Sequence, residues 1–257
     1  MESVKEQNNP ELLDAWLDLA EAMLGCGAEI TRVERTLTRL GAGYGATGLN
    51  AFTLNSSISV TCRFQDNEIL TQIRRIRFAP STDLALLEDL NELSRRACRE
   101  HLSAKELKDG VRKLKAASVN RLWYPAGFLS AFSFVLFFGG RFSDAAVSGL
   151  FGLLTCFCLR TFSRLSANTV VTNALTSFTA GFLVRLLCAA VPSLHDGMII
   201  IGIIMLMIPG LAITNSMRDI MVGDTISGTM RFVESLLWAG ALALGFISSM
   251  LITGGIL

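Results

Sequence analysis

Histidine is nearly missing from this 257-residue chain, which has only His101 and His195. Six cysteines are scattered at 26, 62, 98, 156, 158 and 188 without a CxxC pair, so the ligand spacing of a Cys/His metal site is absent. The thiols read instead as small apolar packing groups. A GxxxxGK[ST] loop is also lacking, which removes the usual phosphate cradle of a nucleotide-driven machine. Ser56, Ser57 and Ser59 have no histidine close by to act as base, which argues against a serine hydrolase. The net charge is only +1, and residues 1–121 hold 17 acids against 17 bases, so nothing suggests a nucleic-acid partner. The N-terminus, MESVKEQNNPELLDAW, has no apolar core ending in small residues and is not a secretory signal. The first spanning helix is then expected to serve as its own insertion signal.

Charge itself becomes scarce after Leu122. Residues 1–121 carry 34 charged side chains, and the 136 positions that follow carry 11. The runs Leu122–Gly140, Ala145–Leu159, Leu165–Val184, Gly197–Met217 and Ser235–Leu257 are uncharged or nearly so. A bilayer core needs about 20 apolar residues per helix. The pattern predicts a membrane protein with an N-terminal cytosolic α+β domain followed by a five-helix transmembrane bundle. The expected domains are 1–118 and 119–257, with spans at about 122–140, 143–162, 168–191, 197–214 and 232–254.

In the first part, Asn9 and Pro10 suit a helix start, and Leu12, Leu13, Trp16, Leu17, Ala20, Met23 and Leu24 recur at helical spacing up to Gly25 and Gly27. Ile30, Val33, Leu37 and Leu40 mark a second helix before GAGYGATG. Alternation then predicts strands at Leu49–Asn55, Ser57–Phe64 and Glu68–Ile76, the last two joined by a QDNE turn. Ser81, Thr82 and Asp83 offer caps for a helix, and Ser103-Ala-Lys-Glu106 matches a capping box.

Basic residues set the expected orientation. Lys108, Arg112, Lys113, Lys115 and Arg121 precede the first span; Arg160 and Arg164 follow the second; Arg218 and Arg231 follow the fourth. The opposite loops hold only Arg141 and His195. The positive-inside rule then places the N-terminal domain in the cytoplasm and the C-terminus outside.

Residues 205–235 concentrate helix breakers and ionisable groups. Pro209 and Gly210 should kink or break the fourth span, and Asn215, Arg218, Asp219, Asp224, Arg231 and Glu234 follow. Broken helices beside ionisable groups expose backbone dipoles to a polar solute in many transporters. A kinked span followed by a solvated loop is the plainer reading. In the third span Asn173, Thr176 and Ser177 share a face, either lining a polar pathway or bonding neighbouring helices. Arg185, further along, is the candidate for meeting a carboxylate. Gly149, Gly152 and Gly181 suit close helix packing.

Two segments resemble the threonine/serine exporter family in its two-component form, on the side of the YjjP-type larger membrane subunit. One is Leu24-Gly-Cys-Gly-Ala-Glu-Ile-Thr-Arg-Val-Glu34. The other runs from Ile208-Pro-Gly-Leu-Ala-Ile-Thr-Asn215 through Arg218-Asp219, Gly223-Asp224, Ser227-Gly228, Arg231 and Glu234. The resemblance implies a bacterial inner-membrane secondary exporter subunit for a small amino acid or a dicarboxylic acid, threonine/serine or succinate. It also implies a second, smaller membrane subunit as partner, since the chain ends after the fifth expected span. Higher oligomers are compatible with it. It lends weight to Gly27, Glu29, Arg32 and Glu34 as a cytosolic gate, with a solvated helix face as the alternative. No catalytic residue, metal ligand or cofactor is expected. The competing function is a membrane-anchored enzyme or regulator acting through residues 1–118, and a structural scaffold is a third.

Overall fold

The computed structural model describes residues 8–65, 67–76, 82–117, 123–166 and 168–255. Asp66, Ser81, Arg121 and Leu122, which figure in the expected turn, cap, charge pattern and first span, lie outside the described residues. The chain divides into two compact units, residues 1–119 with 211–232, and residues 120–210 with 233–257.

The first unit opens with α1 (Asn9–Gly25) and α2 (Ile30–Gly43). Asn8, not Asn9, is the residue ahead of α1, and no side chain caps that helix. Asn9 spends its side-chain amide elsewhere, donating to Glu68 Oε2 at 2.9 Å. Three antiparallel strands follow, β1 (Gly48–Leu54), β2 (Ser57–Arg63) and β3 (Ile69–Arg75), in the order β1-β2-β3. Val60 of β2 stands opposite Ala51 and Gln72. Ile58, Val60 and Cys62 alternate into the core, as period-2 geometry requires for a sheet with one covered face.

Next come α3 (Leu84–Glu100) and α4 (Ala104–Ala117). Asp83 caps α3 by accepting from Leu86 N at 2.9 Å. Ser103 and Glu106 form the reciprocal capping box, with Glu106 Oε2 accepting from Ser103 N at 2.8 Å and Ser103 Oγ from Glu106 N at 3.3 Å. Leu13, Trp16, Leu17, Met23, Leu37, Leu40, Leu90 and Leu107 make a dry core with the inner face of β2. Trp16 meets the edge of Tyr44 at 5.5 Å and stacks on Phe64 at 6.3 Å. Burial pushes the thiols of Cys26 and Cys62 up to about 11, so neither is a ready nucleophile at neutral pH. On the surface, Arg74 holds Asp14, Asp18 and Glu21 together, pinning β3 to α1.

The second unit contains α5 (Trp123–Phe137), α6 (Phe142–Leu165), α7 (Thr169–Ala190) and α8 (Asp196–Met207). After α9 (Gly210–Val222), the long α10 (Thr225–Gly254) returns the chain to this unit. Small residues let these helices approach closely. A Cβ on Gly152 of α6 would lie 2.4 Å from the carbonyl oxygen of Gly127 on α5, a contact that backbone cannot yield.

Three helices, α6, α7 and α10, are long and apolar enough to cross a membrane; α8 and α9 qualify only together, as a pair bent by 47°. Helix α5 has 15 residues and falls short. At 1.5 Å per residue it reaches about 22 Å, against a hydrocarbon core of about 30 Å. The described helices therefore supply three crossings, or four with the bent pair, where the hydropathy pattern suggested five. The fourth expected span, 197–214, is broken where proline and glycine suggested: α8 ends at Met207, Pro209 interrupts the helix and Gly210 starts a new axis.

Candidate functional site

Three separate stretches of the first unit converge on the side chain of Arg231. The first is the turn between α1 and α2. Helix α1 closes at Cys26, Gly27 adopts φ +84°, and after Ala28 the extended Glu29 leads into α2. That positive φ favours glycine, since a Cβ there would crowd the backbone. The turn leaves the Ala28 carbonyl and the Glu29 carboxylate available. The second stretch is the tight β1–β2 connection, where Asn55 and Ser56 link the opposed Leu54 and Ser57. The third is the hairpin of α9 and the start of α10, folded back through Gly223 (φ +108°).

Arg231 Nε donates to Asn55 Oδ1 at 2.8 Å, Nη1 to Asp219 Oδ2 at 3.2 Å, and Nη2 to Ala28 O at 3.2 Å. Asn55 Nδ2 in turn donates to Ser227 O at 3.2 Å. Arg231 and Asp219 are both buried, at 8% and 2% exposure. A buried ion pair roughly balances its desolvation cost only when its remaining donors are also satisfied. Here the guanidinium reaches a carboxylate, an amide oxygen and a carbonyl in three directions, which a lysine could not reproduce.

Two flanking contacts reinforce the same junction. Arg218 Nη1 donates to Glu29 Oε1 at 2.6 Å, and Thr31 Oγ1 donates to Asp224 Oδ2 at 3.3 Å. Glu34, one turn further along α2, accepts from Thr53 N at 2.8 Å. Burial raises the Glu34 carboxyl above its ordinary range; the Thr53 N–H opposes this, and the negative charge of Asp224 adds to it. A raised carboxyl binds its proton more tightly in the folded than in the unfolded state. Its contribution to stability is therefore present at low pH and lost as pH rises through the folded value. Glu34→Gln keeps an acceptor for Thr53 and removes the charge. The variant is expected to melt higher than the parent at neutral pH and to show a flatter melting profile as pH rises above the ordinary carboxyl range. Parallel profiles for the two proteins would show that Glu34 is not strained.

Of the residues singled out from sequence, Gly27, Glu29, Asp219, Asp224 and Arg231 meet at this junction, and Glu34 adjoins it. Arg32 lines a neighbouring cleft. Pro209 and Gly210 form the break before α9. Asn215 is half-buried on α9, with no side-chain hydrogen bond among the described residues. Asn173, Thr176, Ser177, Arg185 and Glu234 belong to the second unit. There Ser177 Oγ bonds back to the carbonyl of Asn173 at 2.9 Å, while the buried Thr176 hydroxyl has no partner among the described residues. Arg185 Nη1 donates to Asp196 Oδ2 at 2.5 Å, an ion pair within the unit, and its Nε donates to Thr253 Oγ1 at 3.3 Å. Glu234 is half-buried on α10.

The sequence reading missed Asn55 as a site residue, and it missed Asp144 altogether. Asp144 is fully buried near the start of α6; it accepts from His195 N at 3.1 Å and lies 3.0 Å from His195 Nδ1. The available signal was its isolation: Asp144 and Asp196 are the only acids between residues 120 and 210.

Apolar helices long enough to cross a bilayer, a span-length pair broken at proline, and a compact α+β unit define a helical membrane protein. The chain belongs to the family described as "Putative threonine/serine exporter", whose model matches residues 14–253. Among curated proteins and among solved structures nothing matches it.

Proposed function

We propose that this protein is the larger, YjjP-type subunit of a two-component secondary exporter in a bacterial inner membrane, moving a small amino acid or a dicarboxylic acid out of the cytoplasm. The family match supports the threonine/serine class; succinate is the further candidate that the two-component resemblance brings. In this reading α5 makes a fifth crossing. The N-terminus is cytoplasmic and the C-terminus periplasmic or extracellular, in keeping with the basic residues at 108–121, Arg160 and Arg164. A second, smaller membrane subunit completes the pathway.

The observation that carries the reading is the Arg231 junction. It ties the α1–α2 turn and the β1–β2 connection to the helix that follows the Pro209 break. Moving α9 would exchange the partners of Arg231 and Arg218, so the junction is built as a latch between the cytosolic domain and a broken helix. Asp219, Asp224 and Glu234 are the acids available for proton coupling. Asn173, Thr176 and Ser177 offer a polar face, and Arg185 would attract a substrate carboxylate in competition with Asp196.

Efflux of radiolabelled threonine, serine and succinate from exporter-deleted cells tests this, comparing the chain alone with the chain plus the small membrane protein encoded beside it. Efflux of one solute only when both are present is expected. No efflux of any of the three from a stable, inserted complex would overturn the reading.

A further inference from the structure

A cleft of about 310 Å³ opens among α2, α3 and α9 of the first unit, and its lining is strongly basic. Helix α2 contributes Arg32, Arg35 and Arg39, at i, i+3 and i+7 on one face; α3 adds Arg95 and α9 adds Arg218. The two carboxylates in the lining are already engaged. Glu29 holds Arg218 at 2.6 Å, and Asp219 holds Arg231 at 3.2 Å. Arg32, Arg35, Arg39 and Arg95 are left with no ion pair and no side-chain hydrogen bond among the described residues. Elsewhere in this unit Arg74, Arg96, Arg99 and Arg112 each hold an acid. Like charges at these helical spacings repel, so the lining is self-repelling until an anion enters it.

We propose that this cleft binds a compact phosphate-bearing anion. Guanidinium forks match phosphate oxygens two at a time, and arginines drawn from three helices can surround one group. The volume lies at the lower end of small-molecule sites. Among the described residues of the lining Val222 is the only apolar one, and they offer no aromatic platform for a base and no greasy wall for a bulky ligand. These features suit a headgroup-sized phosphoanion. It has two sources, a soluble phosphoester or a phospholipid headgroup. The exposed Leu211, Met217 and Met221 on α9 would suit the acyl chains of the second. The site is independent of the exporter reading, since its residues need only hold the anion.

The full-length protein is titrated with pyrophosphate in uncharged detergent, and is separately placed in phosphatidylcholine nanodiscs with and without phosphatidylglycerol. Thermal shift and calorimetry are the readouts. Pyrophosphate binding in detergent assigns the soluble source, and stabilisation confined to phosphatidylglycerol discs assigns the lipid source. In the responding arm, Arg35→Gln with Arg95→Gln is expected to weaken binding by about tenfold or more, and added salt should weaken it further. Arg96→Gln with Arg112→Gln removes the same charge outside the cleft and should leave binding unchanged. All four positions are exposed, so an unshifted ligand-free melt verifies folding; if the first pair melts early, Arg39→Gln alone replaces it. No response in either arm, or equal losses from cleft and control variants, would overturn the proposal.

Discussion

Arg231→Ala is expected to abolish export and to loosen the first unit, with a loss of stability of about 3–5 kcal/mol. The size follows from what the substitution leaves behind. Asp219, 2% exposed, would lose its guanidinium partner while still buried, and the Asn55 amide oxygen and the Ala28 carbonyl would each lose a donor. Asp219→Ala removes the opposite partner and should cost a similar amount by stranding the guanidinium. The double variant should cost less than the two single effects added, because neither charge is then left buried alone. Arg231→Lys preserves charge but not the three-way geometry, and should rescue stability only in part. Melting in detergent and limited proteolysis report the first effect, and efflux from preloaded cells reports the second. Normal melting and normal efflux in Arg231→Ala would remove the junction from both roles.

Much of the first unit was legible because its signals are local. Alternating burial of Ile58, Val60 and Cys62 is written directly in the β2 sequence, and Asp83 and the Ser103–Glu106 box declare their helix starts. Proline chemistry likewise announced the break at Pro209. The partners at the junction were not legible. Arg231 entered the sequence reading both as a charge that orients the membrane half and as a candidate site residue, but the groups it bonds lie 12, 176 and 203 positions away. Closure over such separations leaves no periodic trace, and one of its acceptors, the Ala28 carbonyl, has no side chain to notice. Helix α9 shows the same limit. Its composition continues an apolar span, but the bend after Met207 groups it with the N-terminal unit.

Gly228→Val is expected to remove export even though valine tolerates a helix well enough on intrinsic grounds. A Cβ at position 228 would fall 2.6 Å from Ile220 Cγ1, 2.8 Å from Ile220 N and 2.9 Å from Ser216 O. Two of those three atoms are backbone, so no rotamer change relieves the clash. Helix α9 would have to move away from the start of α10, taking Asp219 and Arg218 from Arg231 and Glu29. Gly228→Ala sharpens the test, because propensity and packing disagree in sign. Glycine to alanine in a helix interior is favourable by about 1 kcal/mol, whereas overpacking a tight contact costs about 1–3 kcal/mol. Gly240 lies on the same helix with nothing within 4 Å of an added Cβ. Gly240→Ala should therefore raise or maintain the melting temperature, and Gly228→Ala should lower it and reduce efflux. If both alanines behave alike, close approach of α9 to α10 is not what glycine provides at position 228, and the latch would need another hinge.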